Sequence, residues 1–100
     1  MDKAVIMNSR NYPNPFTDNT TIAFTLTQQS QITIQIFDFS GRIVKTLKDN
    51  EVMEAGPYKI SWDGKSEEGD DLARGVYLGL IIMKTELEPQ RAVLKMAITR

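Results

Sequence analysis

The chain has 100 residues, a formal net charge of −1, and neither cysteine nor histidine. The two missing residue types exclude disulfides, zinc sites built on Cys or His, and catalysis by a Cys nucleophile or a His base. The near-zero charge argues against nucleic acid as a partner, since phosphate binding needs a basic surface. A chain of this length is expected to form one domain with one modest core.

The longest strongly apolar stretch, residues 76–83, is too short for a membrane-spanning helix, which needs about 20 residues. No membrane-spanning segment is therefore expected.

Apolar residues alternate with Thr, Gln and Lys along much of the chain, and 24 residues are Ile, Val or Thr. This period of two is typical of half-buried strands. It predicts seven strands, at residues 4–7, 21–26, 32–37, 43–47, 58–62, 76–83 and 92–98. Residues 76–83 are apolar on both faces, which predicts a central strand. Breaks are predicted at residues 11–19, 28–31, 39–41, 48–57, 63–75 and 85–91. With no stretch of helical period, the pattern indicates an all-β sandwich.

Residues 63–74 carry five acidic side chains and have the composition of a calcium loop. An EF-hand would need an oxygen ligand at its third position and Glu at its twelfth, but Lys65 and Arg74 stand there. We therefore interpret the segment as a solvated, turn-rich loop in which Gly64 and Gly69 supply positive φ angles. No metal site, catalytic residue or cofactor is predicted, and the chain is not expected to be an enzyme.

The aromatic residues are expected to serve packing. Trp62 is in phase with Tyr58 and Ile60, which predicts a core position. Phe16, Phe37 and Phe39 fall at strand ends and are interpreted as lids on the sandwich. Alternation puts Phe37 opposite the isoleucines of its strand, so packing and a contact surface both remain open for it.

Four segments together resemble one family. They are Asn-Tyr-Pro-Asn-Pro-Phe at 11–16 with Thr-Thr-Ile at 20–22, Ile-Phe-Asp-Phe-Ser-Gly-Arg-Ile-Val at 36–44, Trp-Asp-Gly-Lys at 62–65, and Leu-Ala-Arg-Gly-Val-Tyr at 72–77. In order and spacing this resembles the C-terminal immunoglobulin-like domains of proteins exported by the type IX secretion system. That family is similar in turn to the immunoglobulin-like domain of the flagellar hook-capping protein.

The resemblance implies an antiparallel immunoglobulin-like β-sandwich over residues 11–100, with residues 1–10 as a linker or first strand from a larger parent protein. It implies a non-catalytic domain that directs export or surface attachment of a Bacteroidetes protein. Such a domain passes through the periplasm to the cell surface, and its partners are outer-membrane transport and sortase machinery. The family's tail motifs match Gly75, Tyr77 and Lys95, which are the candidate recognition residues, whereas residues 85–91 replace its usual short glycine-containing hairpin.

The other motif residues are expected to act in folding. They are Pro13, Asn14, Pro15, Asp38, Gly41, Trp62, Asp63 and Gly64. The two prolines hold the segment from 12 to 15 extended, so it could lie along a sheet edge without forming a full ladder. Gly41 fits a tight turn, and exposed edge strands allow a homodimer. Alternative functions are a structural assembly module similar to the hook-capping domain, or an accessory spacer of an extracellular enzyme.

Overall fold

The computed structural model describes residues 4–85 and 89–100. Within them the chain forms seven strands: β1 (Ile6–Tyr12), β2 (Thr20–Leu26), β3 (Ser30–Phe37), β4 (Ile43–Met53), β5 (Gly56–Trp62), β6 (Gly75–Lys84) and β7 (Gln90–Ile98). They pair antiparallel into a three-stranded sheet of order β1-β2-β5 and a four-stranded sheet of order β4-β3-β6-β7. The predicted all-β, antiparallel sandwich is confirmed. Part of the atypical segment 85–91 and the first residues of segment 1–10 lie outside the described residues.

The core lies between the inner faces of the two sheets. Alternation buries every second residue: Ile32, Ile34 and Ile36 of β3 are fully buried, and Ile34 pairs with Ile81 of β6. β2 supplies apolar residues from the opposite sheet in the same alternation. Burying such side chains provides the main driving force for folding. The prediction that residues 76–83 form a central strand is confirmed, because β6 lies between β3 and β7.

Two strands extend further than the apolar pattern predicted. β4 was expected to end at residue 47 but continues to Met53, so the predicted break at 48–57 is wrong over most of its length. A bulge explains the missing alternation: Asn50 has a φ of 54° and its N–H donates to the Thr33 hydroxyl at 3.0 Å. β1 likewise contains an irregularity near Asn8, with a φ of 56°, and runs on to Tyr12.

Among the described residues, none belongs to a helix long and apolar enough to cross a membrane.

Candidate functional site

The first motif forms a strap, defined here as residues 13–19, which leaves β1 and lies along the free edge of β7. The side chain of Asn14 takes part in the ladder: its Nδ2 donates to the Lys95 carbonyl at 2.8 Å, and its Oδ1 accepts the Ala97 N–H at 3.0 Å. One residue pair further on, the Phe16 N–H donates to the Ala97 carbonyl and the Thr99 N–H donates to the Phe16 carbonyl, each at 2.9 Å. The prediction that this segment lies along a sheet edge is confirmed.

Pro13 and Pro15 flank Asn14 in the sequence, and the peptide bonds that precede the two prolines are both cis. The Pro13 carbonyl accepts the hydroxyl of buried Thr20 at 2.9 Å, which fastens the strap to the start of β2. The strap therefore joins the two sheets at one edge of the sandwich.

Arg100 joins the strap to the loop after β5. Its guanidinium donates to three backbone carbonyls, those of Thr17 at 3.0 Å, Gly64 at 2.7 Å and Leu72 at 3.1 Å. A guanidinium carries five donors in a fixed plane and suits such a convergent set. An exposed carboxylate, that of Asp71, lies 3.8 Å away.

The Trp-Asp-Gly-Lys motif closes one end of the core. Trp62 is 1% exposed, which confirms the predicted core position, and its ring contacts Phe16 and Tyr77 edge-on. Its indole N–H donates to the Lys65 carbonyl at 3.1 Å, while the Asp63 carboxylate accepts the Lys65 N–H at 3.1 Å. The motif thus places a large aromatic in the core and satisfies its one polar atom within the following turn.

Asp38 organises the turn between β3 and β4. Its Oδ1 accepts the Ser40 hydroxyl at 2.6 Å, the Ser40 N–H at 2.9 Å and the Arg42 N–H at 3.1 Å. These bonds, led by that of the Ser40 hydroxyl, hold the pKa of the Asp38 carboxyl below its usual value. Gly41 occupies this turn with a φ of 89°, as predicted.

The acidic loop after β5 is turn-rich, and Gly64 and Gly69 have φ angles of 73° and 90°, as predicted. Glu67 turns toward the outer edge of β4: its N–H donates to the Val44 carbonyl at 2.9 Å and its carboxylate accepts the Thr46 N–H at 3.0 Å. The bond from Thr46, with the ammonium of Lys45 nearby, lowers the pKa of Glu67. Within residues 4–85 and 89–100, no group of three or more acidic side chains is arranged to hold a metal ion.

The three candidate recognition residues lie near one another on β6 and β7 but face different ways. Gly75 opens β6 with a φ of 151° and is exposed. Tyr77 is 7% exposed and its hydroxyl donates to the Ala73 carbonyl at 2.7 Å, while burial raises the pKa of this phenol. Lys95 is exposed and pairs with Leu78 on the side of the sheet away from the core. Their role in recognition stays a prediction.

The outer face of the four-stranded sheet carries exposed apolar residues beside polar ones such as Gln35 and Lys95, and the sequence analysis left a contact surface open for one of its residues, Phe37. Phe37 pairs with Ile43 on one side and with Leu78 on the other, so the three share this face. The apolar residues on this face, exposed or half-buried, are Phe37, Ile43, Val76, Leu78 and Val93. The sequence did contain a signal for these residues, since residues 76–83 are apolar on both faces and each sheet of a sandwich has one face that points to solvent.

Phe39 projects from the tip of the β3–β4 turn and is 92% exposed. The prediction that it forms a lid on the sandwich is wrong, because the turn fixed by Asp38 directs this residue away from the core. Phe16, which is 2% exposed, does cover the core as predicted.

Two packed antiparallel sheets with a strap that crosses from one to the other define an immunoglobulin-like β-sandwich. The model of the FlgD Ig-like domain family matches residues 10–78. The chain belongs to this family of structural modules, in agreement with the resemblance to the hook-capping domain.

Solved structures share the fold. Latent dimeric PorU from Porphyromonas gingivalis superposes with a TM-score of 0.75 at 20% identity, over 99% of this chain and 10% of that one. PorZ, a surface component of the type IX secretion system of the same organism, gives 0.60 at 21% identity, over 93% of this chain and 12% of that one. FlgD from Pseudomonas aeruginosa superposes with a TM-score of 0.68 at 18% identity, over 95% of this chain and 72% of that one.

The chain therefore spans about a tenth of the length of PorU and of PorZ. A comparison with curated protein sequences finds no match.

Proposed function

We propose that this domain is a non-catalytic C-terminal sorting domain that directs export or surface attachment of a larger Bacteroidetes protein through the type IX secretion system. The observation that carries the proposal is the fold match to domains of PorU and PorZ over nearly the whole chain, with PorZ itself a surface component of that system. The four sequence motifs support it independently, because they resemble the same group of exported proteins.

The proposed partners are outer-membrane transport and sortase proteins, met in the periplasm and at the cell surface. Recognition would use the end of the domain where β6 and β7 meet the strap. There Gly75 and Lys95 are exposed, and Tyr77 fixes the backbone that presents them by its bond to Ala73. Rigid presentation favours binding because little order has to be created when the partner docks.

A reporter fusion tests the proposal. Residues 1–100 are attached to the C-terminus of a periplasmic reporter in a host with an active type IX system, and export is measured as the reporter fraction outside the outer membrane. We expect export that depends on the system, and retention in the periplasm would refute the proposal.

A matched pair of variants then tests the recognition residues. Lys95→Ala is expected to reduce export, whereas Lys59→Ala, at another exposed lysine on β5 of the other sheet, is expected to leave it unchanged. Both variants should be checked for folding by circular dichroism. Equal export by the two would remove Lys95 from the proposed site.

A second candidate is a structural assembly module, because the family model and the FlgD structure support it directly. An accessory spacer domain of an extracellular enzyme would be another purely structural role. In either case the fused reporter would remain in the periplasm although the domain is folded. The same experiment therefore separates these functions from sorting.

A further inference from the structure

The strap covers the free edge of β7 over only part of its length. It bonds to backbone groups of Lys95, Ala97 and Thr99, at the end of the strand. Among the described residues, no hydrogen bond reaches the same edge before Lys95. We call residues 90–94 the open edge of β7. Unpaired backbone groups along an edge strand form a template on which another extended chain can pair.

The contacts of the strap show which backbone groups face the open edge. The N–H of Ala97 donates to Asn14 and its C=O accepts from Phe16, so Ala97 points both groups away from β6. β7 pairs with β6 in an unbroken register, and the backbone groups of a strand alternate between its two sides. Arg91 and Val93 therefore direct their N–H and C=O groups to the same side as Ala97. Val93 is 58% exposed, so a ligand can reach this part of the strand.

Each of the other three sheet edges carries a feature that hinders pairing. β1 has a register shift, and the Arg10 guanidinium donates to the Asn8 carbonyl at 2.7 Å. β4 has several register shifts, and Glu67 already accepts the Thr46 N–H on its outer edge. β5 contains Pro57, which has no N–H to donate. Bulges, covering loops and prolines are common protections of edge strands, and in the part of the chain that the structure describes the open edge has none of them.

Two cations flank the open edge. Arg91 and Lys95 are exposed, and they lie on the outer face with Val93, because alternate residues of a strand share a face. Neither makes an ion pair with another described residue. If two copies of β7 paired antiparallel around Val93, Arg91 of one would stand opposite Lys95 of the other, and like charges directly opposite are destabilising. The open edge therefore disfavours itself in this register and favours a strand with acidic side chains.

We propose that the open edge binds an extended segment of a partner protein as an added strand, with acidic residues opposite Arg91 and Lys95 and an apolar residue opposite Val93. The backbone groups of Arg91 and Val93 supply the main-chain bonds, as in other complexes formed by strand addition. The two cations fix the register, since a slip of one residue would turn both acids to the opposite face of the sheet. The apolar residue extends the row that Val93 forms with Leu80 of β6.

The backbone groups select a peptide over other anions. A polymer without amides, such as an anionic polysaccharide, would be attracted by Arg91 and Lys95 but has no N–H and C=O at the spacing of a strand to pair with Val93. Its binding would depend on charge alone, whereas the proposed segment needs both charge and main-chain bonds. Probe peptides that lack one or the other separate the two cases.

NMR titration of the full chain, isotope-labelled, with short peptides tests the proposal. The probe is an acetylated and amidated peptide, Thr-Glu-Thr-Val-Thr-Glu-Thr, whose palindromic sequence fits the edge in either orientation. We expect amide shifts concentrated at Arg91, Val93 and Lys95, with a Kd below about 2 mM. A peptide with Lys in place of Glu should bind at least about tenfold more weakly because it loses the charge complement. A Glu peptide N-methylated at its three central residues should weaken by a similar factor, because it loses main-chain donors.

Variants of the chain locate the site. Val93→Pro removes an N–H that points away from β6, so the β6–β7 ladder keeps its bonds, and the Kd of the Glu peptide should rise at least about tenfold. Lys95→Glu should raise it at least about fivefold, whereas Lys59→Glu, the same change on β5 of the other sheet, should leave it unchanged. Lys95→Glu and the N-methylated peptide keep the test valid if Val93→Pro fails to fold.

The absence of amide shifts with the Glu peptide up to about 10 mM would overturn the proposal. So would equal binding of either control peptide, an unchanged Kd in Lys95→Glu, or equal weakening by Lys59→Glu. A dimer that forms without peptide and excludes it would assign the open edge to a second copy and overturn the proposal as well. The titration contains no export machinery, so the proposed sorting function can fail while the open edge binds peptide, and the reverse.

Discussion

The side-chain amide of Asn14 binds β7 next to Ala97 as the backbone of a neighbouring strand would, accepting the Ala97 N–H at 3.0 Å and donating to the Lys95 carbonyl at 2.8 Å. Phe16 continues the ladder with its own backbone. The strap therefore covers the last residues of an edge strand that would otherwise present unpaired groups to other chains.

Replacing Asn14 with Ala should destabilise the domain. Two hydrogen bonds to backbone groups are lost, and each contributes about 0.5–1.5 kcal/mol to folding, so we expect a loss of about 2 kcal/mol in the free energy of unfolding. Urea denaturation measures it, with Asn19→Ala as the control at an exposed position of the same strap. Amide exchange at Ala97 should become faster in Asn14→Ala, and unchanged protection there would contradict the assigned bond.

Arg100 should contribute to stability through its three carbonyl acceptors rather than through Asp71. Arg100→Met keeps the aliphatic stem and removes the donors, so we expect a loss of about 2 kcal/mol. Arg100→Lys should recover little, because one ammonium cannot reach carbonyls on separate loops as a planar guanidinium does. Thermal melts compare these variants with Arg74→Met, an exposed arginine. Equal melting of Arg100→Met and the wild type would refute this role.

Gly64 and Gly69 offer a matched pair of substitutions. Both have positive φ angles, and alanine in the left-handed region costs about 1–2 kcal/mol. A Cβ at Gly69 would meet no atom within 4 Å, but one at Gly64 would lie 3.0 Å from Nη1 of Arg100 and 3.3 Å from Cε2 of Phe16. Chemical denaturation should therefore show Gly64→Ala to be the more destabilised variant. If Gly69→Ala were the less stable of the two variants, the packing of Arg100 against Gly64 would be contradicted.

Asp38 should make stability depend on pH in the acidic range. The pKa of its carboxyl is below the usual 3.8 in the folded protein because it accepts bonds from Ser40 and Arg42, so its ionised form is favoured by folding. This contribution is complete above the unfolded pKa and is lost as the pH falls through the folded one. Urea midpoints between about pH 5 and about pH 2 should converge for wild type and Asp38→Asn as the pH falls. Asp18→Asn serves as the exposed control, and a constant gap between the curves of wild type and Asp38→Asn would contradict the assignment.

The sequence predicted the sandwich and its core because alternating apolar residues report directly on which face of a strand is buried. It correctly placed Trp62 in the core and the strap on a sheet edge. It missed the length of β4, since an edge strand with a bulge at Asn50 and polar residues on both faces has no apolar period to detect.

The exposure of Phe39 was harder to predict for a different reason. Whether Phe39 covers the core or points into water depends on the turn that Asp38 organises, and local spacing does not encode the direction of a turn. The role of Asn14 as a substitute strand backbone likewise depends on a partner 83 residues away.

The most direct test of the proposed sorting function is surface exposure of a reporter fused to residues 1–100, measured by antibody labelling of intact cells. Two hosts are compared, identical except that one lacks an active type IX system. We predict labelling in the competent host and none in the other, with equal reporter amounts in both lysates. Equal labelling in the two hosts, or no labelling of a stable and folded fusion in either, would contradict the account.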